Sequence, residues 1–227
     1  MALTLPDGAG AQTDVAGWRG ASERLVAEYL IPQGISDSAT LAAMRSVPRH
    51  EFVPADQRPY AYLDTPLPIG HDQTISQPVV VGYMTQLVRP RPGLRVLEVG
   101  TGSGYQAAVL ARTGAKVWSI EIFGVLAEEA RTRLARLGFG GVTVRHGDGY
   151  AGWAEQAPFD AIVVTAGADS IPPALVEQLA PGGRLVMPVG DPRVDQQLVL
   201  LEKDATGRVA SRRLLPVRFV PLLRGVR

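Results

Sequence analysis

Between Arg95 and Gly190 short apolar runs alternate with helical stretches, and that alternation leaves few architectures open. "RVLEV", "KVWSIE", "VTVRHGD", "DAIVVTA" and "GRLVMPVG" have the length and β-branched content of strands. "GYQAAVLART", "FGVLAEEARTRLARLG" and "PPALVEQLA" lie between them with apolar residues at helical spacing, and Gly114 and Gly138 stand where helices should end. Repeated βαβ units predict a parallel, doubly wound sheet with helices on its faces. "QQLVLLEKD" and "LLPVRFVPLL", joined by a turn near Thr206 and Gly207, add an antiparallel edge. The expected fold is therefore α/β, with a mostly parallel seven-stranded sheet.

The segment before this core has a different texture. Residues 1–20 are rich in Gly, Ala, Asp and Thr and lack the basic and apolar regions of a secretory signal, so a flexible leader is expected there. Two short helices follow. Ser22 is the candidate cap of the first, with Leu25, Val26, Tyr29 and Leu30 as its apolar stripe and Pro32 and Gly34 as its stop. Asp37 or Ser38 caps the second, which ends before Pro48. From Pro54 to Gln77 the chain is rich in Pro, Gly and Asp without clear periodicity, which suits a functional loop. A helix runs from Pro78 through Val88. Residues 21–227 read as one domain, with 21–90 a helical cover and 91–227 the α/β core.

The loop between the first core strand and its helix, "VGTGSGYQ", narrows the ligand. Gly100, Gly102 and Gly104 are spaced G-x-G-x-G, and Tyr105 occupies the place of a dinucleotide motif's third glycine. That tyrosine argues against NAD or FAD. The loop suits a nucleoside ligand that needs close backbone approach but carries no phosphate, such as S-adenosylmethionine. Glu98 ends the first strand. Glu121 ends the second, roughly twenty residues on, where a carboxylate accepts hydrogen bonds from ribose hydroxyls. Asp148 ends the third, placed to meet an adenine amino group. Each also has a plainer reading: Glu98 as a loop cap, Glu121 as a solvated strand end, Asp148 as a turn residue. Their register on three successive strands favours a nucleoside site.

These residues resemble the class I S-adenosylmethionine-dependent methyltransferases, and more narrowly the protein-L-isoaspartate O-methyltransferase family. The resemblance extends from Leu25 to Leu222 and rests on "VPRHEFVP", "YAYLDTPLPIGHDQTISQP", the glycine loop, "HGDGYAGWAEQAPFDAIVVTAGADSIPPALVEQLAPGGRLVMPVG" and "VRFVPL". It implies methyl transfer to the α-carboxylate of L-isoaspartyl residues in proteins and peptides, with S-adenosylhomocysteine as product. Ser76 matches the family's active-site serine. Thr74, Ile75, Glu98, Gly100, Thr101, Gly102, Gly104, Glu121, Ile122, Asp148 and Gly149 are the expected cofactor-binding residues. Ile69, Gly70, Ser76 and Val220 are expected on the substrate side. Many relatives carry His or Tyr directly after the Pro of "TISQP"; here that position is Val79, a change expected in the cofactor pocket. Ser76 also has a structural reading, as the cap of the helix starting near Pro78.

Composition removes other classes. The chain has no cysteine, which excludes disulfides, thiolate nucleophiles and zinc–sulfur sites. Net charge is +1, so no global field favours nucleic acid or an anionic membrane, and no apolar run reaches the ~18 residues of a membrane span. Lys116 and Lys203 are the only lysines. His50, His71 and His146 lack metal-ligand spacing and are expected to be structural or exposed, with no metal bound. Asp64 and Asp72 are expected to cap turns, since a carboxylate in the groove would repel an anionic substrate. Tyr60, Tyr62 and Trp153 are expected to pack the cover against the core. The partners expected are isoaspartyl proteins and peptides, for a cytoplasmic monomer. A peptide aspartate methyltransferase, a nucleotide-dependent oxidoreductase and a non-catalytic module are the competing readings; Tyr105 opposes the second and the intact "QTISQP" the last.

Overall fold

The computed structural model describes residues 17–191 and 195–226. The leader expected over 1–20 therefore lies mostly outside the described residues. Where it enters them it is helical: α1 spans Trp18–Leu25 and runs on through a π-turn to Leu30. Ser22 consequently sits inside the helix and caps nothing. It is fully buried, and its hydroxyl donates to the carbonyls of Met44 (3.0 Å) and Arg45 (2.9 Å), tying α1 to the next helix. Leu25, Val26 and Leu30 are buried, whereas Tyr29 is exposed. α2, Ser38–Ser46, starts as expected: the Asp37 carboxylate accepts the Thr40 N–H at 2.7 Å.

The stretch 54–77 is more ordered than its composition suggests. A 3₁₀ segment at Ala55–Tyr60 leads into a hairpin of β1 (Leu67–Gly70) and β2 (Gln73–Ile75). His71 and Asp72 at its turn have φ +52° and +55°. A two-residue turn with both central residues left-handed is the type that matches strand twist, though it is usually built from Asn and Gly. α3, Pro78–Leu87, then begins with proline at its first position, where no N–H is needed.

The sheet order is β5-β4-β3-β6-β7-β8-β9, seven strands as expected. The strands are β3 Arg95–Val99, β4 Lys116–Glu121, β5 Thr143–His146, β6 Phe159–Val164, β7 Leu179–Asp191, β8 Asp195–Lys203 and β9 Val209–Val217. β3 to β7 pair in parallel, and β7–β8 and β8–β9 are antiparallel. β9 begins before the apolar run "LLPVRFVPLL" and stops at Val217, so the second half of that run is not strand. The remaining helices are α4 Tyr105–Arg112, α5 Gly124–Arg136 and α6 Pro173–Gln178.

Alternation along the strands divides the interior into two cores. Val96, Ala161, Val163 and Val186 face α3, α4, part of α5 and the N-terminal helices. Leu97, Val99, Ile162 and Val164 face α6 and Trp153 on the other side. Tyr62 packs with the cover as expected, but Trp153 belongs to the opposite core and Tyr60 is exposed. The chain enters at β3, builds β4 and β5 to one side, then returns to place β6 on the other. That reversal opens a crevice at the carboxyl ends of β3 and β6, the general ligand position of open α/β sheets.

Candidate active site

The glycine loop fills this crevice because its backbone demands glycine. Gly100, Gly102 and Gly104 have φ of +96°, +50° and +89°. A Cβ on Gly100 would fall 2.4 Å from the Thr165 hydroxyl, and one on Gly104 would press on Leu134 and Ala130 of α5. Gly104 thus supplies the close helix approach that the third glycine provides in dinucleotide folds. Tyr105 is freed to point away, fully buried, with the Phe52 ring 5.4 Å and the Arg49 guanidinium 4.9 Å from its centroid.

Beside the loop lies a cleft of about 540 Å³ lined by Gln73, Thr74, Val99, Gly100, Gly102, Ile120 to Phe123, Gly149, Thr165, Ala166 and Val220 to Leu223. Glu121 is its anionic wall. Its carboxylate accepts the N–H of Gly102 at 2.7 Å and of Phe123 at 3.0 Å, one per oxygen. Each oxygen keeps a further acceptor site, which fits a ribose diol. A cleft of bare glycine backbone with one buried acid and no cationic side chain among its lining residues fits an uncharged nucleoside rather than a pyrophosphate.

Glu98 and Asp148 are not among the lining residues. Alternation turns Glu98 to the α4 side, opposite Val99, where it is wholly buried and accepts a short hydrogen bond from Ser119. Burial pushes its acid up to about 8; the charge of Glu121 raises it further, while Ser119 and the Ala107 amide pull it back. Asp148 accepts the N–H of Tyr150 (2.9 Å) and of Gly225 (3.1 Å), so it pins the C-terminal segment, and its neighbour Gly149 lines the cleft. Thr101 is buried and shares a hydrogen bond with Ser119 at 2.6 Å. Ile69 lies against the loop: its δ-carbon is 3.3 Å from where a Gly102 Cβ would be. Gly70 ends β1 with φ +93°.

A second compartment, an open groove of about 1210 Å³, runs between the start of α3 and the segment after β9. Its walls include Asp64, Thr74, Ser76, Gln77, Val79, Thr165, Arg218 and Val220. Val79, where many relatives carry His or Tyr, lines this groove and is not among the residues lining the cleft beside the glycine loop. A small hollow lined by Thr74, Ile75, Ser76, Gly100 to Ser103 and Thr165 joins groove to loop. Thr74 and Thr165 border all three spaces; Ser76 borders the groove and the hollow. Thr165 was missed in the sequence, although its place at the carboxyl end of β6 is where ligand contacts are expected. Its hydroxyl donates to the Gly100 carbonyl at 2.6 Å. Phe123 and Leu222 were also missed.

The histidines lie at the edges. His50 is buried with Nδ1 2.7 Å from the Tyr62 hydroxyl, and burial lowers its pKa. His71 stacks on Phe123, and His146 Nε2 lies 3.1 Å from the Ile122 carbonyl. Among the described residues no three His, Cys, Asp or Glu form a metal-binding group, and no helix is long and apolar enough to cross a membrane.

With this geometry the comparisons with known proteins agree. The model of the protein-L-isoaspartate(D-aspartate) O-methyltransferase family matches residues 21–227. The chain is 59% identical over 186 residues to a protein-L-isoaspartate O-methyltransferase 2 of Polaromonas sp., covering 82% of this chain and 88% of the relative. It is 58% identical to a protein-L-isoaspartate O-methyltransferase of Opitutus terrae, covering 89% and 86%. Among solved structures, a protein-L-isoaspartate O-methyltransferase superposes with TM-score 0.79 at 33% identity, covering 88% of this chain and 65% of that one. A Plasmodium falciparum structure described as a putative member, in complex with S-adenosyl-L-homocysteine, gives 0.76 at 26% identity, covering 90% and 99%.

Proposed function

The chain belongs to the protein-L-isoaspartate(D-aspartate) O-methyltransferase family, and from that premise we propose the parts its residues play in methylating a peptide carboxylate. The enzyme methylates isoaspartyl residues of damaged proteins, the first step of their repair through a succinimide. S-adenosylmethionine, when bound, supplies a methyl group activated by its sulfonium leaving group.

The nucleophile needs no base. A carboxyl group of pKa about 4 is already ionised at neutral pH. What the protein must add is alignment and exclusion of water, and a near-attack geometry supplies roughly 7–11 kcal/mol of barrier reduction. In our reading Glu121 holds the ribose of the cofactor and the backbone of Gly100 to Gly104 faces its amino-acid tail. Ile122 and Gly149 flank the base, with Asp148 at its rim. Thr74 and Ile75 separate the cofactor from the groove. Ile69 and Gly70 support that partition from β1. The groove takes the isoaspartyl peptide. Ser76 donates its hydroxyl to one carboxylate oxygen, and the Val220 backbone contacts the same group, leaving the second oxygen to attack.

One observation carries this reading: Ser76 stands where the groove meets the hollow under the glycine loop. Ser76→Ala is expected to lower kcat at least tenfold, about the worth of a hydrogen bond to a charged group. Calorimetry should meanwhile show S-adenosylhomocysteine binding as in the native protein. A native kcat/KM would remove Ser76 from the mechanism. The reading further takes the working unit as a monomer, because one chain builds both the cleft and the groove.

A further inference from the structure

Gln77 is the N-cap of α3, and Ser76 precedes it, three residues before the Val79 amide that the helix leaves free, within reach of a local serine turn onto that amide. Ser76 does not make that turn. The Gln77 side chain makes no cap bond either. The cap comes from fifteen residues upstream: Asp64 Oδ1 accepts the Val79 N–H at 2.9 Å, and Oδ2 accepts the Gln77 side-chain amide at 2.7 Å. Both carboxylate oxygens thus grip the two sides of the helix start immediately after Ser76. β1 and β2 bring the clamp together, because pairing of Leu67 with Ile75 returns the chain to Asp64. Asp64, Ser76, Gln77 and Val79 line one groove.

The placement is otherwise hard to account for. A carboxylate beside an anionic substrate repels it, and a turn cap was the expectation for this aspartate. Its charge is instead taken up by the N-terminus of α3 and faced by the fully buried Arg49, whose guanidinium donates to the Thr65 carbonyl at 3.3 Å. On the reading of Ser76 given above, we propose that Asp64 is a positioning residue: by capping α3 in place of Ser76, it leaves the serine hydroxyl free for the substrate carboxylate. Without it, the Val79 amide draws the Ser76 hydroxyl into the cap.

A double-mutant cycle tests this. Asp64→Ala is expected to lower kcat about tenfold, the scale of a lost capping bond, with S-adenosylhomocysteine affinity unchanged. Asp64→Asn keeps an acceptor for the Val79 amide and is expected to recover most of kcat. In the Ser76→Ala background, Asp64→Ala is expected to cost nothing further. Equal losses in both backgrounds overturn the proposal, as does a native kcat for Asp64→Ala. Should Asp64→Ala not fold, Gln77→Ala removes one arm of the clamp from the surface side. A smaller loss of kcat that vanishes beside Ser76→Ala supports the clamp, and the same loss in both backgrounds overturns it. A fully active Ser76→Ala refutes the serine's own role; an impaired Ser76→Ala with multiplicative losses refutes only the clamp.

Discussion

Glu98 is a carboxylic acid held out of water beneath the helix that follows the glycine loop. Its acid lies at about 8 in the folded protein against an ordinary 4.5. Between those values the folded state binds a proton that the unfolded chain has released, so stability falls as pH rises through this window. The effect is on the order of a few kcal/mol. Urea unfolding is expected to show the native protein losing stability from pH 5 to pH 9, with Glu98→Gln flattening the decline and the more stable of the two at pH 9. Parallel curves for the two proteins would contradict the assignment. The sequence placed Glu98 with the cofactor because it ends a strand before a glycine loop. It could not decide between that and a loop cap, since one step of strand register separates the cleft face from the α4 face. Glu121 was legible because an acid ending the strand after the glycine loop falls at the crevice, where the Gly102 and Phe123 amides hold one of its oxygens each.

The elements that close the site were the least legible. β2 carries Thr74 and Ile75, yet its turn from β1 is His71–Asp72, which advertises no hairpin; left-handed φ at two such residues costs about 1–3 kcal/mol each and is retained only where surrounding contacts hold it. "LLPVRFVPLL" reads as strand throughout, but β9 tolerates Pro216 only one residue from its end, Pro221 has no N–H to continue a ladder, and after Val217 the chain crosses the crevice as a strap. The strap is fixed where Gln196 accepts the Phe219 N–H (2.6 Å) and where Gly167 exchanges bonds with Val220 and Leu222 (2.8 and 2.7 Å). At its far end Arg224 lies 3.8 Å over the Tyr150 ring. Residues 220–223 are one wall of the cleft beside the glycine loop, which we read as the cofactor's. Deleting residues 221–227 is expected to weaken S-adenosylhomocysteine binding at least tenfold, since it unburies an apolar wall worth about 1.5–3 kcal/mol per large side chain, while leaving the far-UV spectrum of the sheet and helices intact. Native affinity in the truncated protein would show that the strap is not part of the cleft.

At the scale of the molecule the fold was almost wholly readable, because a doubly wound sheet declares itself through period: strands buried on both faces alternate with amphipathic helices, and the handedness of each crossover leaves one topology. The cover was less so. α1 starts at Trp18 because its contacts are with α2 and its buried Ser22 bonds across to Met44, a tertiary tie with no local signature. The whole arrangement brings a neutral nucleoside cleft and an open peptide groove together at Thr74, Ser76 and Thr165. On the proposed reading, that junction is where the main-chain-derived carboxylate of an isoaspartyl residue is presented. The most direct measurement offers the native protein methyl-labelled S-adenosylmethionine with an isoaspartyl peptide and, separately, its normal aspartyl twin. Base-labile label on the isoaspartyl peptide alone is the predicted result; equal label on both peptides, or on neither, would contradict it.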